Sequence, residues 1–380
     1  MLNEIIGKII APRVKYDPLI RISIFSDSLT DNLRAYQRKY PGVQFAPVLK
    51  SNAYGHGLVE VAAILDRLSP PFFAVDSFFE ALSLRRARIK SKILIMGYTR
   101  EELMTKRTLK DVSFSVFNLE RLKILASRLK YPGYFQLKVD TGMHRLGILA
   151  SELGEALRLI KSNPNIILEG VYTHFADADN PDESFTKQQI STWNETAKIA
   201  RKALDNLQFI HAAATAGIAY ASEIEGNVCR LGIGLYGINV APRAKVDLKP
   251  ALEMKSVLTG FKKVEKGDYI GYSRLFCAPG DMIVATVPVG YNEGVDLRLS
   301  NKGVLLVRGQ ICPIIGRVSM NMTTIDISGL QNPKEGEEVV VFSNNPDDRN
   351  SVENVGKTCG IRNPRELLVR FPSYLRREVV

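Results

Sequence analysis

Short runs of apolar, β-branched and aromatic residues alternate with longer amphipathic stretches over residues 21–215. The short runs are typical of buried strands, and the stretches between them repeat apolar residues at i, i+3, i+4 and i+7, as helices do. This alternation predicts parallel strands joined by crossover helices. Eight runs favour an α/β fold in which the strands close into a TIM-type (β/α) barrel. They are RISIF (21–25), QFAPVLK (44–50), FFAVDS (72–77), KILIMGY (92–98), VSFSVFN (112–118), YFQLKVD (134–140), ILEGVYTHF (167–175) and LQFIHAAAT (207–215).

Helices are predicted between these runs. The clearest helical segments are LTDNLRAYQRKY, LVEVAAILDRL, NLERLKILASRLK, SELGEALRLIKS and KQQISTWNETAKIARKAL.

In a (β/α) barrel the chemistry lies at the carboxyl ends of the strands, so polar residues at those ends become candidates for a site. They are Lys50, Asp140, His174 and Thr215.

The pattern changes near residue 250 to short strands punctuated by Gly, Pro and Asn, which predicts a second, all-β domain. We predict a barrel over 11–245 and the β domain over 246–380, with the boundary in VAPRAKVDLKP (240–250). Whether residues 1–10 pack on the β domain is left open. The predicted strands lie in MKSVLTGFKKV, DMIVATVPVG, GVLLVRGQICPIIG, MTTIDIS and EEVVVFS.

Composition narrows the function classes. The chain has 380 residues, and no apolar run approaches the roughly 18 residues of a spanning helix, so we expect no membrane segment. Four cysteines without CxxC spacing predict neither a zinc site nor a disulfide framework and favour a reducing compartment, the cytoplasm. The net charge of +11 comes from dispersed basic residues without interleaved aromatics or a nucleic-acid motif. We therefore expect no nucleic-acid partner.

The sharpest local feature is APVLKSNAYGHG (46–57), where Lys50 ends a buried strand and Tyr54 follows four residues later. Burial lowers the pKa of an amine, and a neutral amine is required for covalent bonding to an aldehyde cofactor. Taken alone, a lysine at this position is more often paired or extended toward solvent. Whether Lys50 binds such a cofactor therefore has to be judged from the other motifs of the chain.

The chain resembles the alanine racemases, pyridoxal-phosphate enzymes of fold type III, in eight motifs that follow one another in family order and span both domains. The first, VLKSNAYGHG, resembles the cofactor-lysine motif. The others are LKVDTGMHRLG (137–147), GVYTHFADAD (170–179), HAAATAG (211–217), RLGIGLYG (230–237), YIGYSRLF (269–276), VPVGYNEGVD (287–296) and IIGRVSMNM (314–322).

The resemblance implies a two-base reaction, because racemisation needs one acid/base on each face of the substrate. Lys50 matches the lysine that holds pyridoxal 5′-phosphate and serves one face, and Tyr272 matches the catalytic tyrosine of the other. In the family this tyrosine enters the partner subunit's site, which implies a homodimer with composite sites. His174 and Arg230 match a hydrogen-bonded chain beside the tyrosine. Arg230 also matches the arginine facing the pyridine nitrogen, which stays unprotonated and disfavours transamination.

The resemblance also assigns binding residues. Substrate carboxylate recognition is implied for Arg145 and the backbone N–H of Met320, with Tyr291 in the same site, and Lys138 matches a lysine that is carbamylated in several members. Asn321 departs from the family, which ordinarily has aspartate there. The residues implied to hold the cofactor's phosphate are Gly232, Ile233, Tyr54, Thr215 and Tyr374, the last in a segment, PSYLRR, that departs from the usual ending.

These implications favour an alanine racemase that makes D-alanine for peptidoglycan. A racemase of broader specificity, for serine or basic amino acids, is an alternative, because no motif fixes the size of the pocket. A non-catalytic pyridoxal-phosphate-binding protein is disfavoured because such proteins lack the β domain that carries Tyr272. The decarboxylases of the same fold have a carboxylate where this chain has Arg230.

Overall fold

The computed structural model describes residues 17–106, 109–240 and 243–380, so the predictions for residues 1–10 lie outside the described residues. In chain order the strands are β1 (Arg21–Ile24), β2 (Gln44–Pro47), β3 (Phe73–Val75), β4 (Ile93–Ile95), β5 (Val112–Val116), β6 (Gly133–Asp140), β7 (Ile148–Leu149), β8 (Ile166–Tyr172), β9 (Phe209–His211), β10 (Val228–Leu231), β11 (Leu252–Val257), β12 (Gly260–Val264), β13 (Tyr269–Ile270), β14 (Phe276–Cys277), β15 (Met282–Val287), β16 (Val304–Val307), β17 (Gln310–Pro313), β18 (Thr323–Asp326), β19 (Glu338–Phe342) and β20 (Arg376–Val379).

The five amphipathic segments predicted from the sequence are confirmed as helices. In the helix Leu153–Ser162, for example, Leu153, Leu157 and Ile160 are buried against the barrel while Lys161 is exposed. The helices are α1 (Ser26–Lys39), α2 (Leu58–Asp66), α3 (Phe78–Arg86), α4 (Glu101–Met104), α5 (Leu119–Arg128), α6 (Leu153–Ser162), α7 (Ser184–Ala203), α8 (Val352–Thr358) and α9 (Arg365–Leu368).

The predicted barrel is confirmed. Strands β3, β4, β5, β6, β8 and β9 pair in parallel in that order, and β10 pairs in parallel with β2. Bridges between Val48 and Ala74 and between Ala214 and Arg230 join the two sets of strands and close the ring. Because all eight strands run in one direction, their carboxyl ends meet at one face of the barrel.

The prediction that residues 21–25 form a barrel strand is wrong. β1 pairs antiparallel with β11 and parallel with β20, in the sheet of the C-terminal domain. The physical reason lies in the alternation of Arg21, Ile22, Ser23 and Ile24, whose isoleucines are buried while Arg21 is exposed. A barrel strand such as β4 is buried on both faces, whereas the alternating pattern RISI suits a sheet with one solvent-exposed face. The eighth barrel strand is β10 instead.

The C-terminal domain is built on strands, as predicted, with α8 and α9 added near its end. A six-stranded sheet has the order β17-β16-β19-β11-β1-β20, and a three-stranded sheet has the order β12-β15-β18. β13 and β14 form a separate hairpin. Within the described ranges, no helix is long and apolar enough to cross a membrane.

Candidate active site

A cavity of about 640 Å³ opens at the carboxyl ends of the barrel strands, where the sequence predicted the chemistry. Most of its walls come from strand ends and from the turns that follow them. It gathers nine of the thirteen residues that the sequence singled out for catalysis or binding: Lys50, Tyr54, Lys138, Arg145, His174, Thr215, Arg230, Gly232 and Ile233.

Lys50 is held by an unusual backbone turn. The four residues after it, Ser51 to Tyr54, all have positive φ and form a left-handed helical turn. L-residues disfavour this conformation, so surrounding contacts have to hold it. The carboxylate of Glu80 accepts from the amide of Ser51 at 2.7 Å, and the side chain of Asn52 accepts from the amide of Leu58 at 2.8 Å. These contacts fix the backbone beside Lys50.

The electrostatics of Lys50 favour its neutral form. Burial lowers the pKa of its amine, and Asp76 opposes that shift while Arg145 and Arg365 reinforce it. The net direction is downward, which increases the fraction of unprotonated, nucleophilic amine at neutral pH.

A small concave space lies where Tyr54, Thr215 and Gly232 meet. A Cβ added at Gly232 would lie 2.9 Å from the Tyr54 hydroxyl and 3.8 Å from that of Thr215, so glycine keeps the space open. The Thr215 hydroxyl accepts from the amides of Gly232 at 3.2 Å and Gly234 at 3.3 Å. Hydroxyls and amides that converge on a space at a strand end suit a phosphate group.

Arg230 is 3% exposed and is the centre of a hydrogen-bond network at the base of the cavity. One terminal nitrogen donates to the carbonyls of Thr173 at 2.7 Å and Ala212 at 3.0 Å and to Nδ1 of His174 at 3.1 Å. The other donates to Nδ1 and the carbonyl of His211. Its Nε–H donates to no acceptor among the described residues, so a donor remains for a ligand.

Both histidines around Arg230 are neutral at physiological pH. Burial, reinforced by the charge of Arg230, holds the pKa of His174 and of His211 well below the usual range. Because Nδ1 of His211 accepts from Arg230, its Nε2 carries the proton and donates to Oε1 of Gln136 at 2.7 Å. The network therefore concentrates its positive charge on the guanidinium.

Lys138 and Arg145 supply further cations to the cavity. Lys138 is 7% exposed, and burial together with the charges of Arg145 and Arg230 lowers its pKa to about 8. Arg145 is more exposed and lies in a loop whose amides, at Gly142 and Met143, donate to Asp140 at 2.9 Å each. A guanidinium in an open part of the cavity suits a small carboxylate.

The other four predicted residues do not line this cavity. Tyr272, Tyr291 and Met320 lie on the surface of the C-terminal domain, and Tyr272 is 69% exposed. Tyr374 is also exposed there, and its hydroxyl accepts from the side-chain amide of Asn292 at 2.5 Å. Within the described residues of one chain, the cavity therefore has no tyrosine from the β13–β14 region.

Two family models match the chain in sequence, the alanine racemase N-terminal domain over residues 24–240 and the alanine racemase C-terminal domain over residues 251–379. The chain belongs to the alanine racemase family. Members of this family are pyridoxal-phosphate-dependent isomerases. The chain is 35% identical over 333 residues to the alanine racemase of Syntrophobacter fumaroxidans, covering 86% of this chain and 88% of the relative. It is 33% identical to that of Methanococcus maripaludis, covering 88% and 92%.

Solved alanine racemase structures match the fold over nearly the whole chain. The enzyme from E. faecalis superposes with a TM-score of 0.88 at 28% identity, covering 97% of this chain and all of that one. The enzyme from Bacillus anthracis, solved with bound L-Ala-P, gives a TM-score of 0.87 at 29% identity, covering 97% and 96%. The barrel and the strand-rich domain are therefore shared with alanine racemases.

The sequence did not single out several residues in and around this cavity. Tyr172 stacks on His211 with ring centroids 4.9 Å apart, and the guanidinium of Arg230 lies 5.3 Å from its ring. Both aromatic residues end barrel strands, a signal that could have found them. Arg365 also lines the cavity but comes from the C-terminal domain, and no periodicity or motif in the sequence links it to the barrel.

Proposed function

We propose that this protein interconverts L- and D-alanine with pyridoxal 5′-phosphate. The observation that carries the proposal is the juxtaposition, in one cavity, of an amine with a lowered pKa, Lys50, and an arginine network centred on Arg230. The bound L-Ala-P in the Bacillus anthracis relative supports a small amino acid as the substrate class.

The residues present fit the cofactor. Lys50 would hold it covalently, the space bounded by Tyr54, Thr215 and Gly232 would take its phosphate, and Nε–H of Arg230 would face its ring nitrogen. When bound, the cofactor withdraws electrons from the substrate's α-carbon and makes the α-proton removable. Arginine at the ring nitrogen cannot accept a proton, which disfavours transamination.

The protein's own groups then handle the proton and the substrate. The amine of Lys50 would take or return the α-proton on one face. Arg145 binds the substrate carboxylate by paired, charge-assisted hydrogen bonds. His174, neutral and held by Arg230, keeps this side of the cavity free of a further positive charge.

The second face needs a second acid/base, and we assign this role to Tyr272 of a second copy. Two observations support a homodimer with composite sites. Tyr272 is exposed and absent from the cavity of its own chain, and it shares the surface of the C-terminal domain with exposed Tyr291 and Met320. Exposed apolar groups of this kind are typical of an association surface.

The product's use and the compartment are part of the proposal. D-alanine would feed peptidoglycan, as the resemblance implies. The cytoplasm stays our expected compartment, and it is supported by the four cysteines, Cys229, Cys277, Cys312 and Cys359, all of which are free thiols.

The test is racemisation measured over a panel of L-amino acids with the purified protein, followed by borohydride reduction and peptide mapping. We expect alanine to be the preferred substrate and the reduced adduct to lie on Lys50, and Lys50→Ala should abolish both. Preference for serine or a basic amino acid would favour the broader-specificity alternative. An adduct on another lysine would overturn the assignment of Lys50.

A further inference from the structure

Arg365 is a cation of the C-terminal domain that lines the cavity of the barrel. It begins helix α9, and its side chain is exposed. Among the described residues its guanidinium makes no hydrogen bond or ion pair. Nearby arginines differ: Arg370 pairs with Asp296 and Glu366, and Arg377 donates to backbone carbonyls. Arg365 therefore faces the cavity with its donors available.

The backbone around α9 fixes where Arg365 stands. Gly55 lies so close to the helix that a Cβ added to it would be 2.0 Å from the carbonyl oxygen of Leu368. The carbonyl of Gly55 also accepts from Nε of Arg377 at 2.9 Å. Because Gly55 directly follows Tyr54, this contact between domains brings Arg365 to the end of the cavity that holds Tyr54.

Arg365 and Arg145 act on different groups of the cavity, apart from Lys50. Arg365 acts on Lys50 and Tyr54, and it opposes the upward shift that burial gives the pKa of Tyr54. The groups on which Arg145 acts, besides Lys50, are Lys138, Tyr172 and His174. Both arginines thus act on Lys50, while the other groups on which each acts are different.

Two anionic groups need such partners in the proposed reaction: the carboxylate of the substrate and the phosphate of the cofactor. Arg145 is assigned to the carboxylate. At the other end, the hydroxyls of Tyr54 and Thr215 and the glycine amides are neutral donors, and a phosphate carrying up to two negative charges binds more strongly where a cation is added. The planar guanidinium matches phosphate geometry with two parallel bonds.

We infer that Arg365 is a phosphate-binding residue of this protein, contributed to the barrel's cofactor site by the C-terminal domain. The inference rests on the proposed function, because it needs pyridoxal 5′-phosphate in the cavity. It makes cofactor binding depend on the contact between the two domains at Gly55 and Leu368 as well as on the barrel.

The test compares the dissociation constants of two ligands for the cofactor-free protein, followed by absorbance. Pyridoxal 5′-phosphate carries the phosphate and pyridoxal lacks it, so the ratio of their affinities isolates the phosphate contact. We expect Arg365→Gln to weaken binding of the phosphorylated ligand roughly 10- to 100-fold, the range for losing a hydrogen bond to a charged group. Pyridoxal binding should stay unchanged, and Arg365→Lys should retain part of the difference.

Arg362→Gln is the matched control, since Arg362 is exposed in the same segment but does not line the cavity. Thermal unfolding of each variant checks that it is folded. Equal weakening of both ligands would mean that Arg365 acts on the shape of the site, and unchanged binding of both would mean that it has no role; either result overturns the inference. If the unaltered protein binds neither ligand at Lys50, the proposed function itself fails.

Discussion

At the scale of single residues, Lys138 shows how the cavity treats a buried cation. Its pKa of about 8 results from burial and from two neighbouring arginines. The fold therefore favours the neutral amine relative to the unfolded chain, where the pKa is near 10.4. Carbamylation, which the matching lysine carries in several members of the family, needs such a neutral amine.

Lys138→Met should stabilise the cofactor-free fold in a way that depends on pH. Below pH 8 Lys138 is protonated in both the folded and the unfolded chain, and the folded chain bears the full free-energy cost of burying the charge. Between pH 8 and about 10.4 only the unfolded chain keeps the proton, so the cost disappears as the pH rises. We expect a gain of about 2–3 kcal/mol at pH 7 that shrinks toward pH 10.

Urea unfolding at several pH values in bicarbonate-free buffer measures this gain. The control is Lys130→Met, at an exposed lysine outside the cavity, which should change stability little at any pH. A gain at Lys138 that did not vary with pH would mean that packing alone, and not the charge, is responsible.

Asn321 is a second residue whose neighbours explain its identity. Its side-chain amide donates to Oε1 of Glu293 at 2.6 Å, and the amide of Asn292 donates to the same oxygen at 2.8 Å. Glu293 is 5% exposed, and its other oxygen accepts from the backbone of Gly290 at 2.9 Å. Glu293 thus supplies the carboxylate of this hydrogen-bonded cluster of Asn292, Glu293 and Asn321, and the side-chain amide of Asn321 donates to it.

Asn321→Asp should therefore destabilise the C-terminal domain, by about 1–3 kcal/mol at neutral pH, because it replaces a donor with a second carboxylate beside a buried one. Two carboxylates this close repel each other when both are ionised. The loss should accordingly shrink as the pH falls toward the carboxyl range, where one proton is shared.

Glu293→Gln combined with Asn321→Asp restores one amide and one carboxylate at these two positions of the cluster. This double variant should recover part of the stability lost by Asn321→Asp, as a double-mutant cycle in urea would measure. Additive losses in the cycle would contradict a direct pairing of the two side chains.

At the scale of elements, the left-handed turn after Lys50 depends on helix α3. Ser77 and Glu80 form a capping box at the start of that helix. The carboxylate of Glu80 also accepts from the amides of Ser51 and Asp76 at 2.7 and 2.8 Å. One side chain thereby caps a helix and holds the backbone that presents Lys50.

Glu80→Ala and Ser77→Ala separate these two roles. Ser77→Ala removes only the cap and should cost about 1 kcal/mol. Glu80→Ala should cost more and should also slow covalent attachment of the cofactor to Lys50, because the strained turn loses its partner. Urea unfolding measures the first effect and the rate of absorbance change on adding pyridoxal 5′-phosphate measures the second. Equal attachment rates in both variants would contradict a positioning role for Glu80.

The strands show what periodicity predicts and what it leaves open. Seven of the eight predicted barrel strands are confirmed, because buried apolar runs between amphipathic helices carry enough local signal. The strand at 21–25 was placed in the wrong sheet, since pairing with β11 and β20 is set by residues more than 200 positions away. The four residues of β10 were missed because they run directly into the glycine-rich RLGIGLYG segment.

At the scale of the whole molecule, the same distinction separates the predicted site from the observed one. Residues at strand ends, such as Lys50 and His174, could be predicted because barrel topology alone brings strand ends together. Arg365 could not, because its place depends on how the second domain docks at Gly55. Tyr272 is a further case, in which one chain's fold leaves the residue on the surface and only association would give it a site.

Hybrid dimers test that association. Lys50→Ala and Tyr272→Phe chains should each be inactive alone, since either change removes one of the two proposed bases. If Tyr272 serves the partner subunit, a hybrid of the two has one site with both bases intact and one with neither. Random exchange of equal amounts makes half of the dimers hybrids, so activity should return to about a quarter of that of the unaltered protein.

If Tyr272 served its own chain, every site in the mixture would lack one base. Racemisation after denaturation and joint refolding, with exchange verified by mass spectrometry of differently tagged chains, distinguishes the two. A mixture that exchanged fully and stayed inactive would contradict the composite site.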